Sequence, residues 1–220
     1  MCGRFVLVAD PNTIQKAFNL NSVPDLPPRY NIAPTQILPV ITNENPRELS
    51  FHKWGLIPSW AKDESMASKM INARSEGIDE KPAFRSALKR RRCIVPASGF
   101  YEWQKQKDGK QPMLIHLKDQ PLFGFAGLWE IWNNPQGDEL RTFTIITTEA
   151  NEFMKSIHDR MPVILPSSAY DLWLRQGEVA ASELKPLLKP YDAGELDAYP
   201  VSKLVNKTTV DVPECVQRIA

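Results

Sequence analysis

Nineteen prolines in 220 residues limit this chain more than any other feature. They make up about 9% of it, against roughly 5% in an average protein. Each removes a backbone donor and resists the interior of a helix. The sequence therefore predicts short elements joined by many ordered loops rather than a bundle of long helices. Four prolines fall within residues 22–36, SVPDLPPRYNIAPTQ, which reads as one ordered extended loop.

Between the prolines, RFVLV, ILPVIT and LSFHKWGL read as strands. In the last of these, Phe51 and Lys53 alternate with His52 and Trp54. Asp10-Pro11 caps and opens a helix through IQKAFNL. PAFRSALKRRR reads as a second helix, opened by Pro82 and closed by cations that suit its negative end. CIVPASGFYEWQK and QPMLIHLK read as strands around an Asp108-Gly109 turn. LFGFAGLWEIW and ELRTFTIITT form a second hairpin around NNPQG. ANEFMKSI is a short helix, and SSAYDLWLRQG and VAASELKPLL are C-terminal helices. Strands fill the middle and helices flank them, with no repeat or linker. The expected fold is one α+β domain over residues 1–220, with a curved, mostly antiparallel sheet system.

A net charge of +1 gives no global pull toward nucleic acid, so such binding would need a local patch. Three cysteines, Cys2, Cys93 and Cys215, form no CxxC, and His52, His116 and His158 are scattered. Neither a metal site nor any cofactor is expected. The odd cysteine count fits a reducing compartment, no apolar run approaches a membrane span, and no signal-like start is present. A cytoplasmic protein is expected.

The chain opens MCGRF. Removal of Met1 would leave Cys2 with an amine and a thiol two carbons apart. A terminal amine titrates near 7.7–8.0, so it is partly neutral at physiological pH and can add to an aldehyde. The same opening also suits a buried thiol, or a small residue that merely permits methionine removal. Glu102, in GFYEW, shares a strand face with Phe100 and Gln104. Such a carboxylate is tuned for proton transfer, holds an ammonium, or simply faces water. His158, in SIHDRMP, is either a cation at a helix end or part of an organised polar loop. His52 and His116 sit in strand patterns and read as structural. Asn72 can donate and accept together, and Arg74 fits a phosphate, with Arg4 as a second ligand beside Cys2. Lys89 to Arg92 could extend a basic track or merely end a helix. Among the six tryptophans, most of which suit a core, Trp54 and Trp103 are candidates for stacking on bases.

MCGRF, RYNIAPTQ, WGLIPSWA, INARSE, RRCIVPASGFYEW, TTEAN, IHDRMPVIL and VSKLVN, in that order, resemble the SOS response-associated peptidase (SRAP) family over nearly the whole chain. The resemblance implies an α+β domain with a barrel-like sheet core, and a monomeric sensor of abasic sites in single-stranded DNA, nucleoid-associated when bound. It implies a covalent crosslink through Cys2 once Met1 is gone, by self-removal or an aminopeptidase, with lyase-like imine chemistry. Asn72 and His158 are then expected at the lesion sugar, Glu102 at the amine, and Arg4 and Arg74 at phosphates. Two rival classes stay open: an N-terminal-nucleophile thiol amidohydrolase or peptidase, and a non-covalent reader of modified cytosine.

Overall fold

The computed structural model describes residues 2–219. Among them no helix exceeds the eight residues of α1 (Pro11–Phe18), as the proline content requires. Strands β1 (Phe5–Leu7), β2 (Arg29–Ile32), β3 (Ile37–Thr42), β4 (Leu49–Trp54) and β5 (Asn72–Arg74) precede the short α2 (Arg85–Arg90). Then come β6 (Arg92–Ala97), β7 (Gly99–Gln106), β8 (Gly109–Leu117), β9 (Phe123–Asn133), β10 (Glu139–Glu149), β11 (Arg160–Pro162) and β12 (Ile164–Leu165). Helices α3 (Tyr170–Trp173) and α4 (Ala181–Leu184) lead to β13 (Leu196–Pro200). No helix of the described residues is long and apolar enough to cross a membrane.

Strands β10, β4, β3, β6 and β9 pair in sequence, and β9 pairs back to β10, closing a five-stranded barrel. Only β4 runs parallel to β10 within that ring. Beside the barrel lies an antiparallel sheet in the order β13-β8-β7-β1-β2. This is the α+β, barrel-like architecture expected from the sequence. The chain crosses from barrel to sheet at Ser98, between β6 and β7, where the sequence reads as one uninterrupted strand. Phe5 of β1 meets Trp54 and Phe125 edge-on at 5.2 and 5.8 Å, so the flanking sheet packs directly into the barrel core.

Local chemistry explains the details. The Asp10 side chain accepts from the Thr13 amide and caps α1. The β7–β8 turn is Lys107–Asp108, one residue earlier than the sequence suggests, because Gly109 at φ +124° already opens β8. The proline-rich loop contains β2, a stretch free of proline that pairs with β1 through Phe5↔Ile32. Helix α4 stops at Leu184, ahead of Pro186.

Two expectations about nucleic-acid contacts need correction here. Trp54 has no exposed surface: it stacks on Phe143 at 6.2 Å and donates Nε1–H to the Ile71 carbonyl at 2.9 Å. Its inward position on β4 makes it a core residue, not a base-stacking platform. The Lys89–Arg92 run is not a continuous basic track either. Arg90 pairs with Glu178 and Arg91 with Glu130. Arg92 is fully buried and donates to the carbonyls of Leu88, Lys89, Trp173 and Arg175, which close the ends of α2 and α3.

Candidate functional site

The first described residues are fixed by the register of β7. The Tyr101 amide donates to the Arg4 carbonyl at 3.0 Å, and Phe5 pairs with Phe100. That register sets Cys2 and Gly3 against the next residue of β7, Glu102. Cys2 is fully buried, with its thiol only loosely directed at the Arg4 carbonyl, 4.0 Å away. Burial, reinforced by the negative charge of Glu102, pushes this thiol far above the ordinary range and keeps it protonated.

Glu102 is 3% exposed. Its carboxyl is raised to about 7, chiefly by burial. A carboxyl that titrates near neutrality can both give and take a proton there. Its Oε2 lies 3.9 Å from His158 Nε2. His158 Nδ1 accepts the Arg160 amide at 3.0 Å, which leaves Nε2 as the protonated nitrogen of a neutral ring, aimed toward the carboxyl. Burial lowers the His158 pKa, favouring that neutral ring. If the ring gains a proton, Nδ1 can instead serve the Asp159 carboxylate at 2.9 Å.

The far end of β10 gathers the remaining candidates. On one edge, β5 pairs in parallel through Asn72↔Ile145 and Arg74↔Thr147. On the other, β11 pairs through Glu149↔Arg160, two residues beyond His158. Asn72 donates to the Ile71 carbonyl at 3.0 Å, while its buried Oδ1 has no hydrogen-bond partner among the described residues. A buried acceptor left open in this way is suited to an incoming hydroxyl. Arg74 is exposed. Trp103 is half-buried, with its Nε1–H donated to Asn206 Oδ1 at 2.8 Å. Arg4 is turned inward: its Nη1 donates to Asn31 Oδ1 at 2.9 Å and to the Val205 carbonyl, so only the rest of its fork could meet a phosphate.

With this geometry in place, the comparison with known families is decisive: the pattern of the SOS response associated peptidase (SRAP) family matches residues 1–208. The chain belongs to the SRAP family. It is 48% identical over 224 residues to the abasic site processing protein YoqW of Bacillus subtilis, covering 99% of both chains. It is 50% identical over 211 residues to the B. subtilis abasic site processing protein YoaM, covering 94% of this chain and 93% of that one. A crystal structure of a Bacteroides thetaiotaomicron protein superposes with a TM-score of 0.88 at 31% identity, covering both chains completely.

In this SRAP chain, Cys2, Glu102 and His158 converge, and β10 links Asn72 and Arg74 to the same region. His52 is buried in the barrel, and the half-buried His116 faces the Leu117 carbonyl. Two features escaped the sequence reading. Arg160 binds Glu76 through both η nitrogens, at 2.5 and 3.0 Å, and donates to the Thr147 carbonyl. It ties the His158 loop to the segment after β5, and its signal lay in the His-Asp-Arg run itself. Asn31 and Asp211, buckled together across 180 residues, carried no local signal at all.

Proposed function

We propose that this SRAP protein captures abasic sites in single-stranded DNA and seals them as a covalent thiazolidine through Cys2 after Met1 is removed. The observation that carries this reading is the convergence of the buried Cys2 and Glu102 with His158, whose Nε2 lies 3.9 Å from the Glu102 carboxylate. The names of the relatives YoqW and YoaM, both abasic site processing proteins, point the same way.

An abasic deoxyribose is mostly a closed hemiacetal. His158 donates to the ring oxygen and opens it to the aldehyde. The Cys2 amine attacks C1′, and Glu102 protonates the departing hydroxyl as water leaves and an imine forms. The Cys2 sulfur then bonds to the imine carbon, its proton passing by way of Glu102 to the nitrogen. The open Oδ1 of Asn72 accepts a sugar hydroxyl, and Arg74 holds a flanking phosphate. Orientation of this kind is worth roughly 7–11 kcal/mol of barrier. An iminium at C1′ acidifies the neighbouring carbon and invites strand cleavage. The thiazolidine lacks that electron sink, so ring closure shields the strand. Reversal runs back through the same imine, with Glu102 protonating the leaving sulfur. Trp103 offers a half-exposed aromatic face beside the strand. No cofactor enters these steps.

The test is a denaturing gel. Processed protein mixed with uracil-containing single-stranded DNA and uracil glycosylase should give a heat-resistant shifted band, absent without the glycosylase and absent for Cys2→Ala. Mass spectrometry should locate the DNA on Cys2. Release of ammonia from amides without any adduct would favour a thiol amidohydrolase. Reversible, base-dependent binding that survives Cys2→Ala would favour a reader of modified cytosine.

A further inference from the structure

We propose that Asn31 is a positioning residue that aims the reactive N-terminal arm, acting through Arg4; the proposal rests on the capture reading above. Asn31 is completely buried on β2, and its side chain is spent in both directions. Its Oδ1 accepts from Arg4 Nη1 at 2.9 Å. Its Nδ2 faces the carbonyls of Val205, Lys207 and Val210 at 3.2, 3.0 and 2.6 Å. Arg4 Nη1 donates to the same Val205 carbonyl, so three groups close one small circuit.

The surrounding bonds hold that circuit rigid. Asp211 Oδ1 accepts the amides of Tyr30 and Asn31 at 2.6 and 2.9 Å, and its Oδ2 pairs with Arg29 Nε at 2.5 Å. The Tyr101 hydroxyl reaches the Tyr30 carbonyl at 2.7 Å. Residue 4 is therefore gripped twice: by its carbonyl, through the Tyr101 amide, and by its guanidinium, through Asn31. Only Gly3 separates this grip from Cys2. Near-attack geometry demands placement within a fraction of an ångström, and a displacement of about 1 Å can cost roughly a hundredfold in rate. An amide is the side chain that offers an acceptor to the arginine and donors to the carbonyls together. Aspartate would set a carboxylate against three carbonyl oxygens, and leucine would orphan all of them.

The experiment compares the saturating rate of adduct formation, the half-saturating concentration of an abasic single-stranded oligonucleotide, and its salt dependence, at a temperature where each variant is folded. Asn31→Ala and Arg4→Lys should each lower the saturating rate tenfold or more, while half-saturation stays within twofold. The double variant should lose no more than the worse single one, because both break one circuit. Arg4→Lys keeps its charge and should leave the salt slope unchanged. A lowered melting temperature with a wild-type saturating rate would make Asn31 merely structural and overturn the proposal. A raised half-saturation for Arg4→Lys, or a raised half-saturation with a shallower salt slope for Arg4→Gln, would make Arg4 a phosphate ligand and overturn it too. If Asn31→Ala fails to fold, the two half-exposed Arg4 variants decide alone. Wild-type protein that forms no adduct would sink the capture reading, and this inference with it.

Discussion

Glu102 and His52 place opposite demands on pH. The Glu102 carboxyl, raised to about 7 from an ordinary value near 4.5, holds its proton more tightly in the folded chain. Its contribution to stability is therefore full below pH 4.5 and is lost as pH rises through 7, by about 3 kcal/mol. Glu102→Gln should slow capture and reversal about 100-fold or more, measured by single-turnover gels. It should also raise the urea midpoint at pH 8. A variant reacting at the wild-type rate would remove Glu102 from the proton transfers. His52 is lowered to about 4 by burial, and neither ring nitrogen has a hydrogen-bond partner among the described residues. Here stability is full above pH 6.5 and falls by about 3 kcal/mol as pH drops to 4. His52→Leu should flatten the acid limb of a urea midpoint against pH curve, and an unaltered limb would assign acid sensitivity to other groups. His52 sits in a strand whose alternation the sequence displays, but Glu102 read equally well as facing water, because β7 is buried on both faces over its first four residues. The titration of neither was legible, since it depends on walls contributed by remote segments.

Among the elements, α2 and α3 survive on one side chain. Arg92 satisfies the carbonyls that end both helices, and burial lowers its pKa to about 10 without removing its charge at neutral pH. Arg92→Met should cost about 3 kcal/mol in urea unfolding, the penalty of orphaned buried acceptors. Arg92→Lys should restore little, because an ammonium cannot span both helix ends as a planar fork does. Loss of less than 1 kcal/mol in either variant would show that water replaces the guanidinium. At this scale the sequence was readable where a signal was local. Asp10-Pro11 marked α1, and both long hairpins announced their turns. It failed where tertiary pairing decides. Residues 29–32 become a strand only because β1 lies beside them, and a four-residue run rich in backbone donors inside a proline-rich loop carries no periodicity of its own. The break at Ser98 is equally silent, since both sides are strand-like and only the closure of the barrel separates them. The same limit hid Arg92, which closes a run of cations that reads in sequence as the charged end of a helix.

The whole molecule is nearly neutral, at +1, and nine of its 27 lysines and arginines are paired with carboxylates among the described residues. Binding to undamaged single-stranded DNA should therefore be weakly salt-dependent. With about 0.7 in log–log slope per phosphate neutralised, two or three contacts give a slope near −2, measurable by fluorescence anisotropy between 50 and 200 mM salt. A slope steeper than about −5 would demand a cationic track beyond Arg74 and its neighbours. The gathering of Cys2, Glu102 and His158 into one place followed from motif resemblance, because nothing in spacing brings residues 2, 102 and 158 together. The buckle of Asn31 to residues 205–211 has a further consequence for limited proteolysis. A chain cut ahead of Val205 would lose the carbonyls that hold the Asn31 amide, and with them the second grip on residue 4, so a single nick far along the sequence should loosen the opposite end of the fold.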